Sequence, residues 1–256
     1  RSLGLVRARA ANNAVVFSTA VFLTGGILGT LHHLYFAGTT TPVIAWGAMF
    51  SALEVVPLAL LGVEAFHNYR LTKAAPWVQT YKWPILFFVA VSFWNLVGAG
   101  ILGFAINPPI SLYYIQGLNM TPSHGHAALF GVYGMLGIGL MLFCLRTAYR
   151  FAGWSDAMLK SVFWCLNLGL AAMVFLSLVP SGIYQAYHSV TTGFWYARSP
   201  EIVHGRVMET LVWMRVPGDI VFGAGAIVLA LFMVRLPTGG RTRNADFGAP
   251  ELMPAE

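Results

Sequence analysis

The chain has 256 residues, 57% of them hydrophobic and only 9% charged, with a mean hydropathy of +0.69. Soluble domains carry about 25% charged residues, so a water-covered globular surface is excluded and the chain reads as all-α, a polytopic transmembrane helix bundle in a lipid bilayer. The net charge of +6 does not point to nucleic acid, because Lys and Arg stand singly between apolar stretches, as membrane topology places them.

In chain order, Arg1 to Ala11 is basic and short and runs directly into a full-length apolar segment. No signal peptide is expected there, and the lack of an initiator Met leads us to expect a cut N-terminus. A span needs roughly 20 apolar residues, and six stretches qualify: about 12–35, 43–66, 83–106, 124–146, 161–182 and 218–236. Arg1, Arg7 and Arg9 precede the first, the 37–42 loop has no base, and Arg70, Lys73 and Lys82 fill the second gap. The 107–123 loop has none, and Arg146, Arg150 and Lys160 fill the next gap. By the positive-inside rule both termini of this segment are cytoplasmic, with Arg235, Arg241 and Arg243 at the far end, and the setting expected is a bacterial inner (cytoplasmic) membrane. Residues 1–236 form one bundle in this reading. Within it 183–217 is an outer-side loop whose 201–215 part is an amphipathic helix at the interface, and the Gly/Pro-rich 237–256 is a disordered cytoplasmic tail. Cys144 and Cys165 lie in apolar runs without CxxC spacing and read as small core residues.

Seven histidines are present, and four fall in two tight clusters, His32–His33 and His124–Gly125–His126. Both clusters sit toward the same side of the membrane, where a strongly polar side chain costs about 2.5–3.5 kcal/mol on insertion scales and usually has a use. Residues two apart on a helix point about 200° from each other, so His124 and His126 suit different centres on opposite faces, as a helix wedged between two hemes requires. Adjacent residues differ by only about 100°, so His32 and His33 can converge on one metal. A lone intramembrane histidine is more often a hydrogen-bonded core residue, and His67, His188 and His204 read as interfacial.

Glu54 lies in FSALEVVPL, mid-span, where a carboxylate is costly unless protonated, paired or bound to metal. Pro57, just beyond it, breaks the helix ladder and can kink the span. A carboxylate beside two imidazoles favours iron over copper. Counted from the helix ends, Glu54 stands about two turns deeper than His33.

These residues carry a resemblance. ILGTLHHLYFAGT, FSALEVVPL and NLVGAGILGFAINPPISLYYIQGLNMTPSHGHAALFGVYGMLGIGLMLFCLR together resemble the catalytic subunit of nitric oxide reductases in the heme-copper oxidase superfamily. FWYARSPE and METLVWMRVPGD look like its single-chain, quinol-oxidising branch more than the cytochrome c-dependent one, and the likeness runs from about residue 3 to 236. It implies that His32, His33 and Glu54 belong to a non-heme iron, that His124 is the axial ligand of a high-spin heme b, and that His126 is an axial ligand of a low-spin heme b. It implies catalysis through Glu54, nitric oxide as substrate, quinol as electron donor, and nitrous oxide as product. A third iron histidine, a second low-spin-heme histidine and a further acidic residue belong to earlier helices of the pattern. The chain therefore reads as the C-terminal half, with the remaining N-terminal half of the same protein as its partner and a homodimer left open. An oxygen-reducing terminal oxidase, a di-heme cytochrome b carrier and a non-redox transporter are the alternatives. The oxidase would want copper and a tyrosine by its metal histidine, the carrier leaves His32, His33 and Glu54 without a use, and the transporter would hold no heme. Glu64 is the weak candidate for a proton route in the cytoplasmic half.

Overall fold

The computed structural model of the chain describes residues 8–72, 76–149 and 154–237. Among these residues the regular structure is helical throughout, without a strand. Seven principal helices carry it: α1 (Ala8–Gly29), α2 (Thr41–Leu53), α3 (Val55–Thr72), α4 (Lys82–Ile106), α5 (Met120–Ala148), α6 (Asp156–Thr191) and α7 (Arg206–Arg235). In a bilayer core no water satisfies the backbone, so helices, which bond their own N–H and C=O groups, are what a chain of this composition forms.

All six apolar stretches are helical, but among the described residues four helices, α4 to α7, are long and apolar enough to cross a membrane. The six crossings expected are thus matched at four. The second stretch is split, because Pro57 has no N–H to give to Leu53, and the backbone turns at Glu54 between α2 and α3. The first tightens at its end into a 3₁₀ turn, Thr30–Leu34, which carries both histidines. The connection expected at 183–217 is also shorter than read. α6 runs on to Thr191, and Arg206–Trp213 is amphipathic as expected but keeps a right-handed backbone through Met214 and Arg215, joining the last long helix. The tail expected to be disordered, apart from its first residue, lies outside the described residues.

The main core lies between α4, α5, α6 and α7, where Phe87, Trp94, Ala127, Leu142, Leu159, Leu170 and Val174 are buried. Two tryptophans need partners for their indole N–H groups. Trp94 donates to Asn167 Oδ1 at 2.9 Å and Trp83 to Asp156 Oδ1 at 2.7 Å. Ser155 caps α6 by accepting from the Met158 N–H at 3.3 Å.

Helices in lipid approach closely where residues are small. On the α6–α7 contact, a Cβ at Gly169 would stand 2.6 Å from the Phe222 nitrogen and one at Gly218 2.7 Å from the Met173 nitrogen. Overpacking a tight contact costs about 1–3 kcal/mol. Gly169→Val is therefore expected to lower the thermal unfolding midpoint of the detergent-solubilised protein clearly. Gly223→Ala, on the same helix pair with open space around it, is expected to leave that midpoint within a degree or two, roughly the effect of a surface change.

Candidate metal and heme centre

The 3₁₀ turn after α1, the end of α2 with the Glu54 turn, and the π-helical stretches of α4 and α5 wall one cavity of about 660 Å³. Its size is that of a cofactor or ligand pocket. The π-helical turns are Asn95–Leu102 in α4 and Leu129–Gly134 in α5. Such turns add a residue to the helix ladder, and they recur at functional sites. Asn95, Ala99 and Gly100 from the first, and Leu129, Val132 and Tyr133 from the second, face this space.

His32, His33, Glu54 and His124 all line this cavity. The two adjacent imidazoles stand with ring centroids 4.0 Å apart, tilted by 38°. His32 is half-buried and His33 exposed. The sense of each ring follows from its backbone contacts. His124 Nδ1 lies 2.8 Å from the Gly98 carbonyl of α4, and His32 Nδ1 lies 2.6 Å from the Gly29 carbonyl. A carbonyl only accepts, so Nδ1 carries the proton in each ring and Nε2 keeps the lone pair of the neutral imidazole, the form in which histidine ligates. Gly103 gives the His124 ring its room, since a Cβ there would stand 3.0 Å from Cε1.

His126 does not share the cavity. It projects to the other side of α5, toward α7, in keeping with the angle expected between residues two apart. Its Nδ1 lies 2.8 Å from the Pro122 carbonyl and its Nε2 lies 3.1 Å from Arg215 Nη2. Arginine only donates, so Nε2 is again the lone-pair nitrogen. Arg215 is held in turn by Asp219, Nε to Oδ1 at 3.1 Å.

Glu54 is half-buried and seated on the glycine face of α1. A Cβ at Gly25 would stand 3.1 Å from its Cγ, and one at Gly29 3.0 Å from its Oε1. Gly29 is also the residue whose carbonyl holds His32. Glu54 therefore sits level with the last turn of α1, about one to two turns deeper than His33, in line with the depth difference counted along the sequence. Ser51, one turn before Glu54, is buried and accepts a hydrogen bond from Asn107 Nδ2 at the end of α4.

Among the described residues no three His, Cys, Asp or Glu side chains close on one point as a ready ligand set. The residues proposed for metal therefore share a cavity wall without forming a closed cage. The donor types lining the cavity, the His32 and His124 imidazoles with Nε2 lone pairs and one carboxylate, fit iron, while the His126 Nε2 is taken by Arg215, which a ligand there would displace. Apolar walls broken by Gly100, Gly103 and Gly125 suit a flat macrocycle.

The wall beside His124 is pinned from α6 and from the segment that follows it. Gln185, buried, accepts from the Asn119 N–H at 3.0 Å and donates to the Ala197 carbonyl at 3.4 Å. Arg198 donates to the Gln116 and Phe194 carbonyls, the latter at 2.7 Å, and lies over the Phe194 ring. Gln185, Arg198, Arg215, Ser51 and Asn107 were not singled out from the sequence. A polar Gln inside the apolar run of α6 was the one signal available. His188 lies away from the cavity, its ring among those of Tyr184, Tyr187 and Tyr196 at 4.8, 5.4 and 5.7 Å. His204 is exposed, and the side chains of His67 and Glu64 lie outside the described residues.

The family model described as cytochrome c and quinol oxidase polypeptide I matches residues 4–221. Among curated proteins, a nitric oxide reductase subunit of Stutzerimonas stutzeri is 27% identical over 173 residues, which is 66% of this chain and 35% of that protein. The chain thus spans about a third of the length of this relative. With four helices able to cross a bilayer and a family match over most of its length, this is an integral membrane protein that belongs to the cytochrome c and quinol oxidase polypeptide I family of the heme-copper oxidases.

Proposed function

We propose that this chain is part of a membrane oxidoreductase that reduces nitric oxide to nitrous oxide with electrons drawn from quinol. The observation that carries the reading is that His32, His33, Glu54 and His124, from separate helices, line one cavity while His126 faces the opposite side of the same helix as His124. The likeness to a nitric oxide reductase chain and the carboxylate at the cavity support it.

His124 would hold a high-spin heme b, His126 a low-spin heme b, and His32, His33 and Glu54 would face a non-heme iron. Bound there, the hemes and iron would relay electrons from quinol and bind nitric oxide. The rest falls to the chain. Hydrogen bonds to backbone carbonyls aim the imidazoles of His32, His124 and His126. Placing two nitric oxide molecules in one pocket turns a bimolecular coupling into a local one. The overall change consumes two nitric oxide, two electrons and two protons and yields one nitrous oxide and one water. Glu54, on the cavity wall, is the group placed to hand protons to the departing oxygen. Gly125 separates His124 from His126 by one residue, so both ligand positions ride on one rigid helix.

A second reading, oxygen reduction, draws on two tyrosines that the sequence had not marked. The Tyr35 ring lies 6.4 Å from that of His32, and Tyr133 lines the cavity. Glu54 weighs against it, because a carboxylate beside imidazoles selects the harder iron.

Two outcomes are expected. Metal analysis of the purified protein finds iron beyond that of its hemes and no stoichiometric copper; copper in place of that iron would transfer the assignment to the oxidase reading. Glu54→Ala keeps both heme absorbances and lowers nitric oxide turnover by about 100-fold, the scale of a lost acid–base group. Unchanged turnover in that variant would remove Glu54 from the chemistry.

A further inference from the structure

The split between α2 and α3 leaves Glu54 on a stretch of backbone that its own helix does not hold. Pro57 withholds the N–H that would bond Leu53, and the Glu54 N–H bonds back to Ser51 at 3.3 Å, a three-residue turn in place of a full helical one. A carboxylate on such a turn stays in one place only if neighbouring elements fix the turn. The glycine face of α1 gives it a floor: a Cβ at Gly29 would meet both Glu54 Oε1 at 3.0 Å and the Ser51 nitrogen at 3.1 Å. A floor blocks motion toward α1 and leaves rotation and sliding free. Among the described residues, the side-chain hydrogen bond that crosses to this turn from the end of α4 is that of Asn107 to Ser51.

We propose that Asn107 is a positioning residue, clamping Ser51 so that the Ser51–Glu54 turn presents the Glu54 carboxyl to the cavity. Ser51 is 7% exposed, and its hydroxyl oxygen takes the Asn107 amide while its carbonyl takes the Glu54 N–H. The clamp therefore acts on Glu54 through one residue. Asn107 is well placed for this, since it ends α4 and is followed by Pro108 and Pro109, which stiffen the chain that carries it. Asn107 and Ser51 both line the same cavity as Glu54, so movement of the clamp is movement of the site wall.

The proposal rests on Glu54 acting in the cavity, and the test separates the two claims. In the heme-loaded protein, the infrared band of the Glu54 carboxyl group is assigned by its loss in Glu54→Gln. It is then followed in Asn107→Leu, which keeps the branched shape but removes the donor, in Ser51→Ala, and in the double variant. A clamp predicts a shifted or broadened band in both single variants, with heme absorbance intact. It predicts turnover lowered by roughly 10- to 100-fold, the scale of a small misplacement, with the double variant no worse than either single one. A band unmoved in both single variants, or losses that add in the double, would overturn the clamp. Ser51→Ala removes only an oxygen, so it reads the clamp even where Asn107→Leu fails to fold. Normal turnover in Glu54→Gln would end the reading of Glu54 as a working carboxyl, while the band in the other variants still decides whether Asn107 positions it.

Discussion

The site depends on backbone carbonyls that fix imidazoles inside an apolar bundle. His32, His124 and His126 each give the Nδ1 proton to a carbonyl, of Gly29, Gly98 and Pro122 respectively. One hydrogen bond thereby settles tautomer, ring rotation and the direction of the ligating nitrogen, the task that groups behind a metal ligand perform in general. Two of the carbonyls belong to glycines packed against a neighbouring helix, since a Cβ at Gly98 would stand 2.6 Å from that of Ala127 and one at Gly29 3.1 Å from the Ser51 nitrogen. Close helix approach and ligand orientation are thus one constraint, and a side chain added at either glycine would disturb both.

Several departures from the regular helix gather at the cavity end of the bundle, while a further π-helical turn, Met173–Leu178, lies in α6 away from the cavity lining. The 3₁₀ turn at Thr30–Leu34, the break at Glu54 and the π-helical turns of α4 and α5 all border the same space. Away from it, α6 and α7 pack through glycines, while Phe87, Trp94 and Leu170 fill the buried centre. Trp94 with its Asn167 partner anchors α4 to α6 where the first π-helical turn begins.

Much of the site was legible in the sequence because helices have fixed angles. The opposite facing of His124 and His126 follows from their spacing alone, and the contacts of the two rings agree with it. His32, His33 and Glu54 were marked by a different signal, the cost of a polar side chain in an apolar run. What stayed hidden depends on distant pairing. Arg215 meets His126 across 89 residues, and Asn107 meets Ser51 across 56, separations at which local periodicity carries no information. Of the six crossings expected, four are matched by long apolar helices among the described residues, and the second stretch is interrupted at Glu54, a break that hydropathy does not register. The depth of Glu54 below His33 was legible by counting residues, and the contacts of Glu54 with Gly25 and Gly29 agree with it.

The central claim is that imidazoles from separate helices share one cavity to hold a metal pair. Heme and total iron content, measured side by side in His32→Ala and His124→Ala, tests it most directly. The account predicts that His32→Ala keeps both hemes and loses only the non-heme iron, while His124→Ala loses one heme and keeps the other on His126. Full heme and iron content in both variants would contradict it.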